Sequence, residues 1–200
     1  MLSNYLKGSF LSEPKSKIMV EVGAAGPEHL SQSKPFKDDG WRCICVEANP
    51  KFAEMHRQHG NEIYEYAASS SDADDIDFHI ASNCQAESFS SLGVSTSVCV
   101  GSGYGGKSSI QTNTVKVKVR KLDSILEEAG VDQIDYLIID VEGWELEVMK
   151  GFSVSKYSPK VIVLECIGDA TEYHNYMNEV GYYFDSYDET TGPNYVYVKL

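Results

Sequence analysis

The chain is short of positive charge: 17 Lys and Arg face 30 Asp and Glu among 200 residues, a formal charge of −13. A large nucleic-acid footprint needs clustered cations, so nucleic acid is disfavoured as a partner. The one basic run, Lys116 to Lys121, alternates with valine and reads as the wet face of a strand. Long apolar runs are missing too. None approaches the ~20 residues that span a bilayer, so no membrane span is expected. The start, Met1-Leu-Ser-Asn-Tyr-Leu-Lys-Gly8, carries no apolar stretch followed by a small-residue cleavage site, and a cytoplasmic protein is expected. The five cysteines contain no CxxC pair, which argues against a zinc knuckle, and their odd number fits a reducing compartment. Cys43 and Cys45 flank Ile44 in an apolar run, where strand geometry puts both thiols on one face. His56 and His59 lack an acidic or cysteine partner at ligand spacing. They are expected to be solvated helix positions, and no metal site is expected.

The composition that remains is that of a soluble globular domain, 42% hydrophobic and 24% charged. Residues 1–200 suit a single domain. Short apolar runs at Lys17 to Val22, Trp41 to Val46, Asn61 to Ala67, Asp135 to Val141 and Lys160 to Cys166 read as strands. Helices are expected after Pro27, at Asn49-Pro50 through Gln58, at Leu122 to Ala129, at Trp144 to Lys150 and at Ala170 to Val180. Ile76 to Ile80 and Thr114 to Val119 alternate as half-wet strands. Between them, residues 81–114 are rich in Ser and Gly and read as a long loop with short strands, such as Ser97 to Val100. A terminal strand, a Gly192-Pro193 turn and an antiparallel strand close the chain. This order predicts an α/β fold whose parallel sheet has helices on both faces.

Ligands of such sheets bind beyond the carboxyl ends of the strands. The first such end carries Glu21-Val-Gly-Ala-Ala-Gly26, a turn in which Gly23 and Gly26 permit positive φ and close backbone approach. Glu47 ends the second strand, 24 residues after Gly23, where a carboxylate can accept from two ribose hydroxyls. A dinucleotide fits less well. Ala25 stands where G-x-G-x-x-G needs its second glycine, Pro27 removes a helix-end N–H, and Glu28 adds negative charge there. A ribose-bearing ligand with a cationic sulfonium and no phosphate suits the turn, which makes Glu21, Gly23, Ala24, Gly26, Glu47 and Ala48 candidate cofactor residues. Ala67 and Ala68 end the third strand and leave room for an adenine ring.

The most apolar strand runs into Asp140-Val-Glu-Gly143. Two acids leaving a dry sheet need a partner or a cleft. From chemistry alone, Asp140 can orient a cofactor amino group, ligate a metal or accept a hydroxyl proton. Glu142 can hold a substrate or cap the following helix. One or two acids do not make a metal site.

Several of these segments together resemble the FkbM family of methyltransferases. They are Val20-Glu-Val-Gly-Ala-Ala-Gly26, Val46-Glu-Ala-Asn-Pro50, Val117-Lys-Val-Arg-Lys-Leu-Asp123, Ile138-Ile-Asp-Val-Glu-Gly-Trp-Glu-Leu-Glu-Val-Met-Lys-Gly151 and Val163-Leu-Glu165. The resemblance implies a Rossmann-like sheet of about seven strands with an antiparallel C-terminal strand. It also implies S-adenosyl-L-methionine as cofactor and O-methylation of a hydroxyl on a sugar, glycan or small natural product. Glu21, Gly23 and Gly26 then take the methionine-side turn, Glu47 the ribose, and Asp140 and Glu142 the active-site acids. Two positions depart from the pattern: Glu21 where Asp is frequent, and Ile138 where Lys is frequent, which removes a cation from beside Asp140. Tyr104, Glu142 and Trp144 are candidate substrate contacts. The alternatives are a non-catalytic binding or scaffold protein that keeps the fold, and an NAD-dependent oxidoreductase. A homo-oligomer stays open.

Overall fold

The computed structural model describes residues 13–28, 31–81, 92, 112–189 and 192–199. Its main sheet is built on β1 (Ile18–Val22), β7 (Tyr136–Ile139) and β8 (Val161–Glu165). Every residue of β7 and β8 is buried, so these strands need apolar side chains on both faces. β2 (Arg42–Val46) and β3 (Glu62–Tyr64) extend the sheet on one side of β1. β9 (Tyr182–Asp188) and β10 (Asn194–Lys199) complete the other side. The seven strands run in the order β3-β2-β1-β7-β8-β10-β9. The first five are mutually parallel, and β10 lies antiparallel between β8 and β9. The order reverses between β1 and β7, so the crevice that binds ligands in such sheets opens there.

Alternation along β1 sends Val20 and Val22 to one face and Met19 and Glu21 to the other. The first face packs with Ile44, Leu137, Ile139, Ile162 and Leu164 under three helices. These are α3 (Leu122–Glu128), α4 (Glu145–Lys150) and α6 (Thr171–Glu179), each supplying buried apolar residues to that cluster. The second face carries Met19, Tyr136, Ile138, Val163 and Val196 against Phe36 of α1 (Lys34–Asp38). There Phe36 stacks on Tyr136 at 4.8 Å and meets Trp41 edge-on at 5.1 Å. The remaining helices among the described residues are α2 (Pro50–Gln58) and the single turn α5 (Val154–Tyr157). α2 is capped by Asn49, whose side chain accepts from the Lys51 amide at 3.0 Å.

Several expectations change. The helix after the glycine turn begins at Lys34, not at Pro27, and Pro35 occupies its first turn. The third strand divides: Glu62–Tyr64 joins the main sheet, while β4 (Ala67–Ala68) belongs to a second one. The chain bends between them, where the Tyr66 amide bonds back to the Tyr64 carbonyl at 3.0 Å. β5 (Ala73–Ala81) and β6 (Thr112–Arg120) pair antiparallel beside β4 in that second sheet, of order β4-β6-β5. It owns a small separate core of Ala48, Ala67, Phe78, Val117 and Val119. The expected strand Ser97 to Val100 lies outside the described residues. His56, expected in solvent, is fully buried.

β1 is also fixed at its start. Asp135 is buried and accepts from the Lys15 amide (2.8 Å), the Ser16 amide and hydroxyl (both 2.7 Å) and the Lys17 amide (2.8 Å). Lys17 takes φ 53° to present its N–H. Burial raises the Asp135 pKa, but these donors outweigh it and hold the carboxyl below its ordinary value. Asp135→Ala is therefore expected to cost about 2–3 kcal/mol in urea unfolding at neutral pH. Because the folded pKa is depressed, the stabilisation is present above the unfolded pKa and lost as pH falls. The gap between the two proteins should thus close below about pH 4.

Candidate functional site

The turn after β1 is held by backbone bonds from Gly23 and Ala24 to the Val46 carbonyl, at 2.9 and 3.2 Å. Gly23 has φ +82°, and a Cβ there would lie 1.8 Å from the Asp140 carbonyl oxygen. The Asp140 amide in turn donates to the Val22 carbonyl at 3.0 Å. Gly23 is thus required for backbone shape and for contact with the acid loop. Gly26 meets neither requirement: a Cβ there would find Met55 at an ordinary 3.9 Å. The second left-handed residue of the turn is Ala25, at φ 43°.

Glu47 explains how Ala25 is kept in that conformation. Its Oε2 accepts from the Ala25 amide at 2.8 Å and its Oε1 from the Asn49 amide at 2.7 Å. Burial outweighs these amides and that of Ala48 and pushes Glu47 up to about 7. His56 supports the turn from below. Its Nε2 donates to the Ala25 carbonyl at 3.1 Å, and its Nδ1 accepts from the Asn61 side-chain amide at 3.0 Å. A carbonyl can only accept, which fixes the neutral Nε2–H tautomer. Burial lowers the His56 pKa in the same sense. Sequence spacing could not show this role, because the partner of His56 is a backbone carbonyl 31 residues away.

Glu21 lies on the opposite face of β1, as its alternation requires. It accepts from the Gln32 amide at 2.7 Å and the Ser33 amide at 3.1 Å, next to the start of α1. Burial, acting against the Ser33 hydroxyl and these amides, pushes it up to about 7. Ala24, Ala48, Ala67 and Ala68 are all buried. Ala48 and Ala67 pack in the core of the second sheet, whereas Ala68 joins the main core.

Beyond β7, the loop turns through Glu142 (φ 59°) and Gly143 (φ 93°). Glu145, not Glu142, ties that loop to α4. Its Oε1 accepts from the Val141 and Gly143 amides at 3.0 and 3.1 Å, and its Oε2 from the Tyr173 hydroxyl at 2.8 Å. Glu142 is thereby left free of capping duty. Trp144 packs on the main core and donates from Nε1 to Ser69 at 3.1 Å. Glu165, at the end of β8, adds a third acid to the loop: one carboxylate oxygen each from Asp140, Glu142 and Glu165 lies within 4.8 Å of the others. Sequence reasoning missed Glu145 and Glu165 as members of the site. The signal for Glu165 was available, since it ends a strand at the same sheet edge as Glu47 and Asp140.

A family model for the methyltransferase FkbM domain matches residues 21–185. The chain belongs to the FkbM methyltransferase family. No curated protein matches the chain. The matched span of this FkbM chain includes both strand ends and all three acids. No described helix is long and apolar enough to cross a membrane. Tyr104, expected to touch substrate, lies outside the described residues.

The acids of this FkbM site repel one another. Burial, then the charge of Asp140, then that of Glu145, pushes Glu142 up to about 8. Burial and the Asp140 charge push Glu165 up to about 10, and Asp140 is raised by burial. Asp140 and Glu165 are both raised by burial and titrate as a pair, so the two neighbouring carboxyls resist losing their last proton. Among the described residues no lysine or arginine pairs with these acids, and Ile138, which stands where Lys is frequent in the family pattern, is buried in the opposite-face core.

Two outcomes are expected. Gly23→Ala should cost about 3–4 kcal/mol in urea unfolding, because both the left-handed φ and the Asp140 carbonyl oppose a Cβ. For the acids, raised folded pKa values mean that the native state holds protons the unfolded chain has already lost above about pH 4. In EDTA at constant ionic strength, the urea midpoint should therefore fall from about pH 5 to about pH 9. Glu165→Gln should flatten the upper part of that fall. A midpoint that rises over the same range contradicts the assigned acids.

Proposed function

We propose that this chain is an S-adenosyl-L-methionine-dependent methyltransferase acting on a hydroxyl oxygen of a sugar, glycan or small natural product. The observation that carries the reading is the contact between Gly23 and Asp140, which sets a ribose-type carboxylate and an acid loop at one sheet edge. The Asp140 charge is felt by both Glu47 and Glu21 across that edge.

The residues fit the cofactor. The two Glu47 oxygens accept from the Ala25 and Asn49 amides on separate atoms, which leaves carboxylate lone pairs for a ribose hydroxyl. Gly23, Ala24 and Gly26 let the backbone approach the methionine side, with Glu21 fixing the far wall of the turn. Ala48, Ala67 and Ala68 supply the small residues beside the adenine. When bound, the cofactor supplies an electrophilic sulfonium methyl, whose carbon–sulfur bond breaks as the oxygen–carbon bond forms. Asp140 orients the acceptor hydroxyl and takes its proton, and Glu142 holds the acceptor from the neighbouring turn. Trp144, pinned through Ser69, forms a fixed wall on the acceptor side.

Isothermal titration with S-adenosylhomocysteine and with NAD separates the cofactor readings. S-adenosylhomocysteine should bind, and Glu47→Ala should weaken it by about 10- to 100-fold, the worth of one or two charge-assisted hydrogen bonds. Binding of NAD alone overturns the reading. A methyl-transfer screen over glycans and small hydroxylated acceptors, read by mass, identifies the acceptor. On it, Asp140→Ala should lower kcat by about 10²- to 10⁴-fold. Unchanged turnover in Asp140→Ala and Glu142→Ala removes both from the chemistry.

A further inference from the structure

Asp140, Glu142 and Glu165 reach one point from three directions: the end of β7, the left-handed turn after it, and the end of the adjacent β8. We propose that these three carboxylates form a binding site for a divalent cation of the Mg²⁺ or Mn²⁺ type.

The spacing fits the chemistry. With metal–oxygen distances of about 2.1 Å, neighbouring ligands of an octahedral ion stand about 3 Å apart and opposite ones about 4.2 Å. The three oxygens lie within 4.8 Å of one another, inside the range that small side-chain rotations close. Hard oxygen donors alone, without Cys or His, select this class of ion.

A second observation points the same way. Oε2 of Glu165 and Oε2 of Glu142 are inaccessible to solvent and accept no hydrogen bond. Glu165 as a whole is only 9% exposed. A buried carboxylate oxygen without a donor costs about 1–3 kcal/mol or more, and the other buried acids of this chain avoid that cost. Glu21, Glu47, Asp135 and Glu145 each receive backbone amides on their carboxylates. Among the described residues, no Lys or Arg makes an ion pair with Asp140, Glu142 or Glu165. A single acceptor hydroxyl satisfies one oxygen. A divalent ion meets three at once and neutralises most of their charge.

The ion uses one oxygen from each residue, so the second Asp140 oxygen stays available for the acceptor proton. Positions not filled by protein take water or acceptor oxygen, and the metal polarises a hydroxyl bound there. This last step rests on the methyltransferase reading; binding of the ion to the free protein does not.

The test is Mn²⁺ titration of EDTA-stripped, desalted full-length protein, read by the electron paramagnetic resonance of free Mn²⁺. One saturable equivalent per chain is expected, competed by Mg²⁺. Glu165→Gln and Glu142→Gln should each weaken it by about tenfold or more, while Asp132→Asn, an exposed acid, leaves it unchanged. Circular dichroism checks folding, and Glu165→Gln should melt no lower than the parent in EDTA, since it takes one ionisable group out of a crowded set of buried acids. Absence of saturable binding up to about 5 mM Mn²⁺ overturns the proposal, as does binding that both Gln variants retain in full. S-adenosylhomocysteine titration of the same stripped protein reports on the methyltransferase reading separately. Its failure alongside intact Mn²⁺ binding removes that reading and keeps the cation site.

Discussion

The close approach of Gly23 to the Asp140 carbonyl is the constraint on which the site depends. β1 and β7 are neighbours, and the strand order reverses between them. Any side chain at Gly23 would force these two strand ends apart. With glycine there, the turn after β1 and the acid loop share one wall, and neither can shift without moving the other. Glu47 and His56 then hold Ala25 from both its amide and its carbonyl, so the turn is fixed from three sides.

Buried acids in this molecule fall into two groups. Glu21, Glu47, Asp135 and Glu145 are structural clamps: each gathers amides from a segment that would otherwise be loose. Glu145 organises the turn after β7 and Asp135 the approach to β1. Glu142 and Glu165 gather no amides on their inner oxygens. They stand beside Asp140, where the sheet edge meets the crevice, each with a buried oxygen that no described residue satisfies.

Much of this was legible in the sequence because it follows from short-range chemistry. Runs such as Tyr136–Ile139 and Val161–Glu165 have no polar face, so they can only be central strands. Asn49-Pro50 announces a helix start, and Gly151 ends one. Glu47 falls where a strand must deliver a carboxylate to the ligand edge. Features set by contacts distant in the chain were hidden. Nothing near His56 marks it as a support for Ala25. That Glu145, and not Glu142, gathers the amides of the turn before α4 depends on left-handed backbone at 142, which glutamate rarely adopts. The second sheet was missed because alternation in Ile76 to Ile80 and Thr114 to Val119 identifies strands without naming their partners. Glu165 was read as part of a family segment and not as a third acid, since only the pairing of β7 with β8 brings it beside Asp140.

The antiparallel pairing of β5 with β6 carries an implication for how this domain tolerates change. Its last rung joins Ala81 to Thr112, and the pair packs on a core separate from that of the main sheet. The chain between those two residues begins and ends at one hydrogen-bonded closure. The fold thus separates the edge where the acids meet from a smaller sheet with its own core, so that a change of packing around Phe78 and Val117 is absorbed away from the strands that carry Gly23 and Asp140.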